Sequence, residues 1–366
     1  MTKGDKEIAM KIKLHSSELN RMMKTMMQCI DSRDPNLGNI AVIYDNNLLT
    51  IRGTNGHYAA VMSTPLLGGD GEVFHVDGTL FAKVCAMCNG DIEISTDGKV
   101  CTIKGAGRTR LPIIDANIPA YSPVQGSVCE ICAEDISRGY SSVSYAVSGD
   151  TSRLVLTGIL LETGNEGAVM VTLDGFKMAI EHIDSENHDE MKTVIPGSFM
   201  KLVSTSTFSG DVVKIITDGK RIEARTDGMM ISCTLLSGDF PPYAAIFPKD
   251  FKTETLVNAD NLMNALKSSG AVNAMNNLVK LHVEADKITV MSNSEHADFD
   301  AEVPCNTHGD SLTIAFNHKF LMETINSVNA EDIVVKFNTP LSPAVAEAAN
   351  ENSGSRLILP VRVQGV

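Results

Sequence analysis

The segment Asp91-Ile-Glu-Ile-Ser-Thr-Asp-Gly-Lys99 decides the fold, because similar segments recur twice further along the chain. They are Asp211-Val-Val-Lys-Ile-Ile-Thr-Asp-Gly-Lys220 and Asp332-Ile-Val-Val-Lys-Phe337, and the first residues of the three segments are 120 and 121 positions apart. Two further series, which begin at Leu49 and at His75, recur at intervals of 119 to 121 positions. Solenoid repeats are much shorter, about 20–50 residues. The sequence therefore predicts three tandem repeats, each the size of a small domain.

Proline and glycine residues mark the borders between the repeats near Pro123–Gln125 and Pro248–Lys249. Met10 begins the first repeat and is an alternative start of the chain. We therefore predict a loose tail at residues 1–9 and three domains at residues 10–124, 125–248 and 249–366.

Each repeat combines alternating, strand-like segments with two amphipathic, helix-like segments. Leu154–Leu160 is one of the segments whose alternation predicts a strand. The predicted helices are Ser16–Gln28, Gly78–Cys88, Glu134–Ser142, Gly197–Ser206, Ala259–Ser269 and Asn317–Val328. The predicted fold class is α+β, with two helices packed on a mostly antiparallel sheet in every repeat.

The composition is that of a globular chain with an acidic balance. Hydrophobic residues make up 43% of the chain and the net charge is −14. No apolar run is long enough to span a membrane and no secretory segment opens the sequence, so we expect a cytoplasmic protein whose eight cysteines are reduced. An acidic chain is poorly suited to wrapping nucleic acid indiscriminately, although it can still carry a local basic face.

Two constellations raise the question of a metal site. Cys85-Ala-Met-Cys88 and Cys129-Glu-Ile-Cys132 are both C-x-x-C pairs, but the forty residues between them exceed the usual spacing of a zinc ribbon. Buried, reduced thiols are the favoured interpretation. His182, Asp184 and His188 offer nitrogen and oxygen ligands, yet they also suit a solvated loop between two strands, which we favour.

Three strings in the second and third repeats carry a family resemblance. They are Gly238-Asp-Phe-Pro-Pro-Tyr-Ala-Ala-Ile-Phe-Pro248, Leu173-Asp-Gly-Phe-Lys-Met178 and Leu357-Ile-Leu-Pro-Val-Arg-Val363. They are similar, in that order, to the segments G-x-F-P-x-Y-x-x-V-x-P, T-D-G-H-R-L and V-x-M-P-M-R-L of the bacterial DNA polymerase III beta subunits, the sliding clamps. The resemblance extends from Met10 to Val363. It implies a head-to-tail homodimer that closes six similar domains into a ring around double-stranded DNA, with helices lining the hole.

The charges of the six predicted helices agree with such a lining. Together with Asp77, which directly precedes one of them, these helices carry about seven basic and six acidic residues, whereas the net charge of the whole chain is −14. The resemblance adds two loop residues near the family's DNA path, Arg33 and Arg153. Directly after Arg153, Leu154-Val155 replaces an aromatic pair that the family can carry. The predicted DNA-facing residues are Arg21, Lys24, Arg33, Lys83, Arg138, Arg153, Lys201, Lys267 and Lys319.

The resemblance also implies a cleft in which replicative polymerase, clamp loader and repair proteins insert a short apolar peptide, of the Gln-Leu-x-Leu-Phe type. Phe176-Lys177 stands where the family has His-Arg, and Gln364-Gly-Val366 extends beyond the usual end, so peptide preference is expected to differ. By correspondence the cleft residues are Leu156, Leu173, Gly175, Phe176, Lys177, Met178, Pro241, Ile246, Leu357, Leu359, Pro360, Val361 and Arg362.

For ring closure, the resemblance implies contacts between the first domain of one copy and the third domain of the other. The predicted interface residues are Arg108, Arg110, Leu111, Ala271 and Val272, with Glu295, Asp298, Asp300 and Glu302 as ion partners.

No nucleophile, base and orienting group can be assembled from the sequence, and no phosphate-binding or metalloprotease motif occurs in it. Together with what the resemblance implies, this predicts a non-enzymatic processivity clamp without a cofactor. The alternatives are a metal-dependent hydrolase that uses His182, Asp184 and His188, and a repeat-built scaffold that binds proteins but not DNA.

Overall fold

A computed structural model describes residues 10–66, 71–164, 167–186, 188–272, 277–350 and 354–363. The predicted tail at residues 1–9 and the extension at residues 364–366 lie outside the described residues. Apart from short 3₁₀ turns, the described elements follow one order three times: a strand, a helix, four strands, a helix and three strands. This order confirms the three tandem repeats.

The bounds of the elements are as follows. The first repeat contains β1 (Met10–His15), α1 (Ser16–Met26), β2 (Asn39–Asp45), β3 (Leu48–Thr54), β4 (Tyr58–Pro65), β5 (Glu72–Asp77), α2 (Gly78–Ala86), β6 (Asp91–Thr96), β7 (Val100–Lys104) and β8 (Arg108–Pro112). The second contains β9 (Ser127–Cys132), α3 (Ala133–Val143), β10 (Gly158–Gly164), β11 (Gly167–Leu173), β12 (Lys177–Ile183), β13 (Met191–Pro196), α4 (Gly197–Ser206), β14 (Val212–Thr217), β15 (Arg221–Thr226) and β16 (Met229–Thr234). The third contains β17 (Thr253–Asn258), α5 (Ala259–Val272), β18 (Leu278–Val283), β19 (Lys287–Asn293), β20 (Asp298–Gly309), β21 (Leu312–Asn317), α6 (His318–Val328), β22 (Asp332–Phe337), β23 (Ala344–Ala348) and β24 (Gly354–Ile358).

All six predicted helices are present, and their ends lie within three residues of the predicted ends. Capping side chains explain where two of them begin, because each accepts a hydrogen bond from the first turn. The Asp77 carboxylate accepts from the backbone N–H of Leu80 at 2.7 Å before α2. The Asn317 side chain accepts from that of Phe320 at 3.1 Å before α6.

The predicted strand Leu154–Leu160 is wrong in its first half. A 3₁₀ segment covers Thr151–Thr157, and β10 begins only at Gly158. Asp150 opens this segment, because its carboxylate accepts a hydrogen bond from the backbone N–H of Ser152 at 2.9 Å. Such local bonds compete with extended backbone, which the alternation of apolar residues does not reveal.

The strands form three antiparallel sheets in two compact units. One unit comprises the chain up to Ala133 together with Leu202–Leu235. It contains a four-stranded sheet in the order β1-β6-β7-β8 and an eight-stranded sheet in the order β5-β2-β3-β4-β16-β15-β14-β9. The other unit comprises Glu134–Lys201 and the chain from Leu236 onward. It contains a twelve-stranded sheet in the order β13-β10-β11-β12-β24-β23-β22-β17-β20-β19-β18-β21. The predicted domain boundaries are not tested by this division and stay predictions.

Consecutive repeats share a sheet at two strand pairs, which we call the first and the second seam. In the first seam, β4 residues Tyr58–Met62 pair with β16 residues Met229–Cys233. In the second seam, β12 residues Lys177–Glu181 pair with β24 residues Gly354–Ile358. In both seams the fourth strand of one repeat pairs with the last strand of the next over five residue pairs.

A four-residue turn leads into the fourth strand of every repeat. The turns are Asn55–Tyr58, Asp174–Lys177 and Ser294–Ala297, and we call them entry turns. In each, the backbone N–H of the first residue donates to the carbonyl oxygen of the fourth, at 3.2, 3.1 and 2.9 Å respectively. The repeats therefore agree in local backbone geometry as well as in element order.

No helix in the described part of the chain is long and apolar enough to cross a membrane. The helices instead bury one face against the sheets. In the third repeat, Leu266 of α5 and Leu321 of α6 pack with Phe316 and Phe337 of the strands in one buried cluster.

Candidate functional site

The second entry turn exposes a large aromatic side chain. The Asp174 carboxylate accepts hydrogen bonds from the backbone N–H groups of Phe176 and Lys177, each at 2.8 Å. Gly175 adopts a φ of +94°, a conformation that is strained for other residues. The turn holds Phe176 with its side chain 59% exposed, an unusual position for a ring of this size.

Four large apolar side chains from the predicted cleft are exposed in the unit that contains the twelve-stranded sheet. They are Phe176, Ile246, Leu359 and Val361. The backbone N–H of Leu359 donates to the carbonyl oxygen of Phe176 at 2.9 Å, which places the segment after β24 directly beside the entry turn. Farther on, the N–H of Val361 donates to the carbonyl oxygen of Ala315 at 2.7 Å, so this segment follows the edge of β21.

Four other predicted cleft residues form a buried floor rather than an exposed surface. Leu156, Leu173, Met178 and Leu357 belong to one apolar cluster, in which Phe240 also lies. Of the remaining predicted residues, Pro241 and Pro360 are half-buried, whereas Gly175 and Arg362 are exposed. The predicted set therefore divides into an exposed apolar rim and a packed base.

Lys177 is buried beneath the rim. Its Nζ donates to the carbonyl oxygen of Tyr145 at 2.9 Å and to Glu323 Oε2 at 2.5 Å. The same nitrogen lies 4.5 Å from the centroid of the Phe320 ring, within cation–π range. Burial raises the pKa of the neighbouring Tyr145 to about 12. With a side chain only 5% exposed, Lys177 can shape the cleft but is not available to a ligand.

Phe320 lies beside the exposed rim, and the sequence analysis did not include it among the predicted cleft residues. Its ring lies 5.7 Å from that of Phe176, centroid to centroid, at an interplanar angle of 34°. It comes from the first turn of α6, in a different repeat from Phe176. A single sequence carries no local pattern that joins these two positions.

A buried ion pair closes the second seam. Arg356 of β24 and Glu181 of β12 are each 1% exposed, and their guanidinium and carboxylate groups are hydrogen-bonded. Arg356 also donates to the carbonyl oxygen of Ser327, at 3.3 Å from its Nη2. The other carboxylate oxygen of Glu181 accepts from Arg138 at 2.6 Å. Strands β12 and β24 and helices α3 and α6 are thus tied together by charge.

Two strand edges outside the seams carry opposite charges. On β8, which ends the four-stranded sheet, Arg108 and Arg110 are exposed and Leu111 is buried. In the other unit, residues 298–304 of β20 pair with β19 on one side, while β17 pairs only with the later residues 305–309. Three acidic side chains of β20 are exposed, those of Asp298, Asp300 and Glu302. Ala271 and Glu295 are also exposed and Val272 is half-buried.

The family models account for most of the chain. The model of the DNA polymerase III beta subunit central domain matches residues 130–242, and that of the C-terminal domain matches residues 244–362. Together they cover more than half of the sequence. The chain belongs to the DNA polymerase III beta subunit family.

Curated relatives and solved structures agree with this assignment. A beta sliding clamp of Streptomyces coelicolor is 25% identical over 308 residues, 79% of this chain and 82% of that protein. That of Bacillus subtilis is 22% identical over 376 residues, 96% of this chain and all of that protein. The crystal structure of the Thermotoga maritima beta subunit has a TM-score of 0.87 at 21% identity, and a Pseudomonas aeruginosa clamp bound to griselimycin has 0.91 at 20%. Each structure covers 97% of this chain over its own full length, so the DNA clamp fold is shared.

As a member of the beta subunit family, the chain is a sliding clamp, a non-catalytic processivity factor of the replicative DNA polymerase. Nothing favours the hydrolase alternative. His182 and Asp184 are exposed, and the imidazole Nδ1 of His188 lies 3.4 Å from the hydroxyl of Ser185. Within the described ranges, no group of three or more His, Cys, Asp or Glu residues is placed to hold a metal ion.

The two C-x-x-C pairs fit the interpretation as reduced thiols. All eight cysteines are free, and Cys85, Cys88 and Cys129 are buried while Cys132 is exposed. Burial raises the pKa of the Cys85 thiol to about 12.

The predicted DNA-facing side chains of this chain differ in their surroundings. Lys24, Lys83, Lys201, Lys267 and Arg153 are exposed. Three others are exposed but have acidic neighbours: Arg21 lies 2.9 Å from Glu18, Arg33 lies 3.5 Å from Asp31 and Lys319 lies 3.9 Å from Glu323. Arg138 is the exception, because Glu181 and Asp135 hold its guanidinium at 2.6 and 2.9 Å. Its positive charge is therefore already paired with carboxylates of its own unit.

Proposed function

We propose that two copies of the chain close head to tail into a ring around duplex DNA and hold partner proteins by an apolar peptide in the cleft. The observation that carries this proposal is the exposed rim formed by Phe176, Ile246, Leu359 and Val361 above a packed floor. Exposed apolar patches of this kind mark binding sites for protein segments. A clamp acts at the replicating chromosome, so we place the chain in the cytoplasm.

The two seams support the head-to-tail closure. Each seam joins the fourth strand of one repeat to the last strand of the next. By the same rule, β20 of the third repeat and β8 of the first are the strands left to pair with a second copy. If β20 of one copy pairs with β8 of the other in the register of the two seams, Asp298 faces Arg110 and Asp300 faces Arg108. Opposite charges on directly facing positions stabilise an antiparallel pair. Because both seams pair the same strands of consecutive repeats, they also support domains at residues 10–124, 125–248 and 249–366.

Exposed basic side chains support the DNA-facing assignment of the helices. Lys24, Lys83 and Lys267 extend from α1, α2 and α5, and Arg33 and Arg153 lie in loops. Scattered lysines attract the phosphate backbone without fixing a register, which permits sliding along any sequence. A ring gains its hold on DNA from closure, so strong phosphate contacts are not required. Arg138 contributes less, since it is already paired.

A charge-reversal experiment tests the closure. Arg108→Glu/Arg110→Glu and Asp298→Lys/Asp300→Lys each create like charges at both joints of a homodimer, so each variant alone is expected to sediment as a monomer. An equimolar mixture restores opposite charges at both joints and is expected to sediment as a dimer. Separate variants that remain fully dimeric, or a mixture that remains monomeric, would reject the register.

A peptide titration tests the cleft. A labelled Gln-Leu-x-Leu-Phe peptide is expected to bind the wild type in the micromolar range, about −8 kcal/mol. Leu359→Ala/Val361→Ala removes rim atoms without removing backbone, and is expected to abolish saturable binding while the dimer persists. Wild-type affinity in this variant would contradict the cleft assignment. A dimer that binds the peptide but is not retained on closed circular DNA after loading would identify the protein-binding scaffold instead.

A further inference from the structure

We propose that Phe208 and Arg21 form a stacking site for an unpaired base of single-stranded DNA. Both residues belong to the unit that contains the four-stranded and eight-stranded sheets. The inference rests on the proposed DNA-facing assignment of α1 and goes beyond it. Double-stranded DNA offers phosphates and base edges to a helix, whereas an unpaired strand also offers the faces of its bases.

The exposed face of α1 carries positive charge. Ser17, Arg21 and Lys24 are exposed and lie three or four positions apart, so their side chains share one face of the helix. Leu19 and Met22 are buried on the opposite face. Cations on one helix face attract the phosphates of a nucleic acid whatever its sequence. This face of α1 therefore suits a DNA strand of any sequence.

An aromatic ring lies against this face. Arg21 Cζ is 5.1 Å from the centroid of the Phe208 ring, within the range of a cation–π contact. Arg21 Nη2 also donates to Glu18 Oε2 at 2.9 Å, which holds the guanidinium along the helix. Phe208 is 45% exposed in spite of this contact. The ring therefore keeps surface on which a second flat group can stack.

The ring belongs to a closed turn between α4 and β14. The backbone N–H of Asp211 donates to the carbonyl oxygen of Phe208 at 3.0 Å, and the N–H of Phe208 donates to Asp211 Oδ2 at 2.9 Å. Gly210 has a φ of +88°, which favours glycine. The turn thus holds Phe208 in place before a ligand arrives, which lowers the entropic cost of binding.

The other two repeats have no aromatic residue at this place. Phe208 stands three positions before Asp211, where the repeated segment of the second repeat begins. The corresponding residues are Cys88, which is 5% exposed, and Asn329, which is exposed and polar. The ring is therefore a feature of the second repeat, added where that repeat meets the cations of α1. An aromatic ring beside exposed cations is the arrangement with which proteins bind single strands, because every base has a face that can stack.

The experiment compares two labelled oligonucleotides of equal length at low salt, an oligothymidylate and an abasic strand with the same number of phosphates. Fluorescence anisotropy with the full chain measures both affinities. The wild type is expected to bind the oligothymidylate about fivefold more tightly or better, because stacking adds to an equal attraction of phosphates. Phe208→Leu keeps an apolar side chain without the aromatic face, and is expected to reduce this ratio to less than about twofold. Phe208→Tyr keeps the ring and is expected to retain the ratio.

Matched variants separate stacking from charge. Arg21→Met and Lys24→Met each remove one positive charge from the same face of α1, so each is expected to weaken the binding of both oligonucleotides. Arg21→Met is expected to lower the ratio as well, since Arg21 contacts the ring, whereas Lys24→Met should leave it unchanged. Phe251→Leu is the control for the loss of a ring. Phe251 lies in the other unit, 5.6 Å from Lys336 Nζ, and its replacement should not change the ratio.

Equal binding of the two oligonucleotides by the wild type would overturn the inference, and so would a ratio that Phe208→Leu leaves unchanged. If Phe208→Leu instead weakened binding of the Gln-Leu-x-Leu-Phe peptide and kept the ratio, the ring would belong to a surface for protein segments and the inference would be wrong. Ring closure is tested separately. A wild type that is not retained on closed circular DNA after loading would reject the proposed ring around duplex DNA, whatever the ratio.

Discussion

The two seams have the same backbone pairing but different side chains, apolar ones in the first and an ion pair in the second. Transferring the register of one onto the other makes Met62 of β4 equivalent to Glu181 of β12, and Ile231 of β16 equivalent to Arg356 of β24. The first seam is thus apolar where the second carries an ion pair, although all four side chains are at most 5% exposed. Register is set by backbone pairing and by the turn before it, so the side chains across it are free to differ.

The entry turns of the two seams show the same separation. Asn55 accepts hydrogen bonds from the N–H groups of His57 and Tyr58 at 2.9 and 2.8 Å, as Asp174 does from the equivalent residues of the second repeat. Gly56 has a φ of +85°, close to that of its counterpart. The residue at the tip is histidine in the first turn and phenylalanine in the second. Only the second turn therefore presents a large apolar side chain.

The largest expected effect comes from breaking the ion pair of the second seam. Glu181→Met leaves the guanidinium of Arg356 buried without its carboxylate, and should lower the free energy of unfolding by about 3–5 kcal/mol. The double variant Glu181→Met/Arg356→Ile places in the second seam the residue types that the first seam has at the equivalent positions. It should recover most of the loss or exceed the wild type, because buried ion pairs gain little over well-packed apolar side chains.

Urea unfolding followed by circular dichroism measures these changes. Ile231→Val in the first seam is the control and should cost only about 0.5–1.5 kcal/mol. If the double variant were as unstable as Glu181→Met alone, the seams would not be interchangeable and the comparison would fail.

An intermediate effect is expected from exchanging the tips of the entry turns. Phe176→His gives the second turn the tip of the first, and should weaken peptide binding by about tenfold, or ~1.4 kcal/mol, through lost apolar contact. The reverse change, His57→Phe, should not create a peptide site. Titration with the labelled peptide measures both. Unchanged affinity in Phe176→His would show that the tip does not contact the ligand.

The smallest expected effect concerns a carboxylate that holds the segment after β16 on β10. Desolvation tends to raise the pKa of Glu162, but hydrogen bonds from Lys192 and Tyr243 outweigh it and the net pKa is lowered. A lowered carboxyl pKa adds stability above the unfolded value of about 4.3, and this is lost as pH falls through the folded value. The half-buried, partly solvated pair should contribute less than about 1 kcal/mol.

Lys192→Met should therefore be less stable than the wild type at pH 7, and the difference should be smaller at pH 3. Urea midpoints at both values measure the difference. The segment after β8 is likewise held by a tyrosine and a carboxylate, but here the carboxylate belongs to the following repeat: the Tyr121 hydroxyl donates to Glu223 of β15 at 2.9 Å. Tyr121→Phe provides a comparison at this second tyrosine–carboxylate pair. A Lys192→Met deficit that persisted unchanged at pH 3 would contradict the electrostatic explanation.

What the sequence predicts well is what repeats or is local. The common spacing of three markers predicts the repeats, and the amphipathic periods predict all six helices. The apolar cleft residues follow from the family resemblance. The strand at Leu154–Leu160 was only half correct, since the cap at Asp150 overrides the alternation.

What the sequence does not predict depends on contacts between distant residues. Lys177 meets Glu323 across 146 positions, and Arg356 meets Glu181 across 175. The first pair buries Lys177, a predicted cleft residue. The Glu181 carboxylate of the second pair also binds Arg138, a predicted DNA-facing residue. Charge counting along helices treats every cation as available, so it cannot distinguish Arg138 from Lys24.

The entry turn also has a consequence for how such a protein can change over evolutionary time. In the first and second repeats its geometry depends on the side chain at the first position and on the glycine at the second, whereas the tip contributes no hydrogen bond from its side chain to the turn. Under the proposed function, the fold and the choice of partner therefore depend on different codons. A single substitution at position 176 is then expected to alter which proteins are recruited while the framework is inherited unchanged.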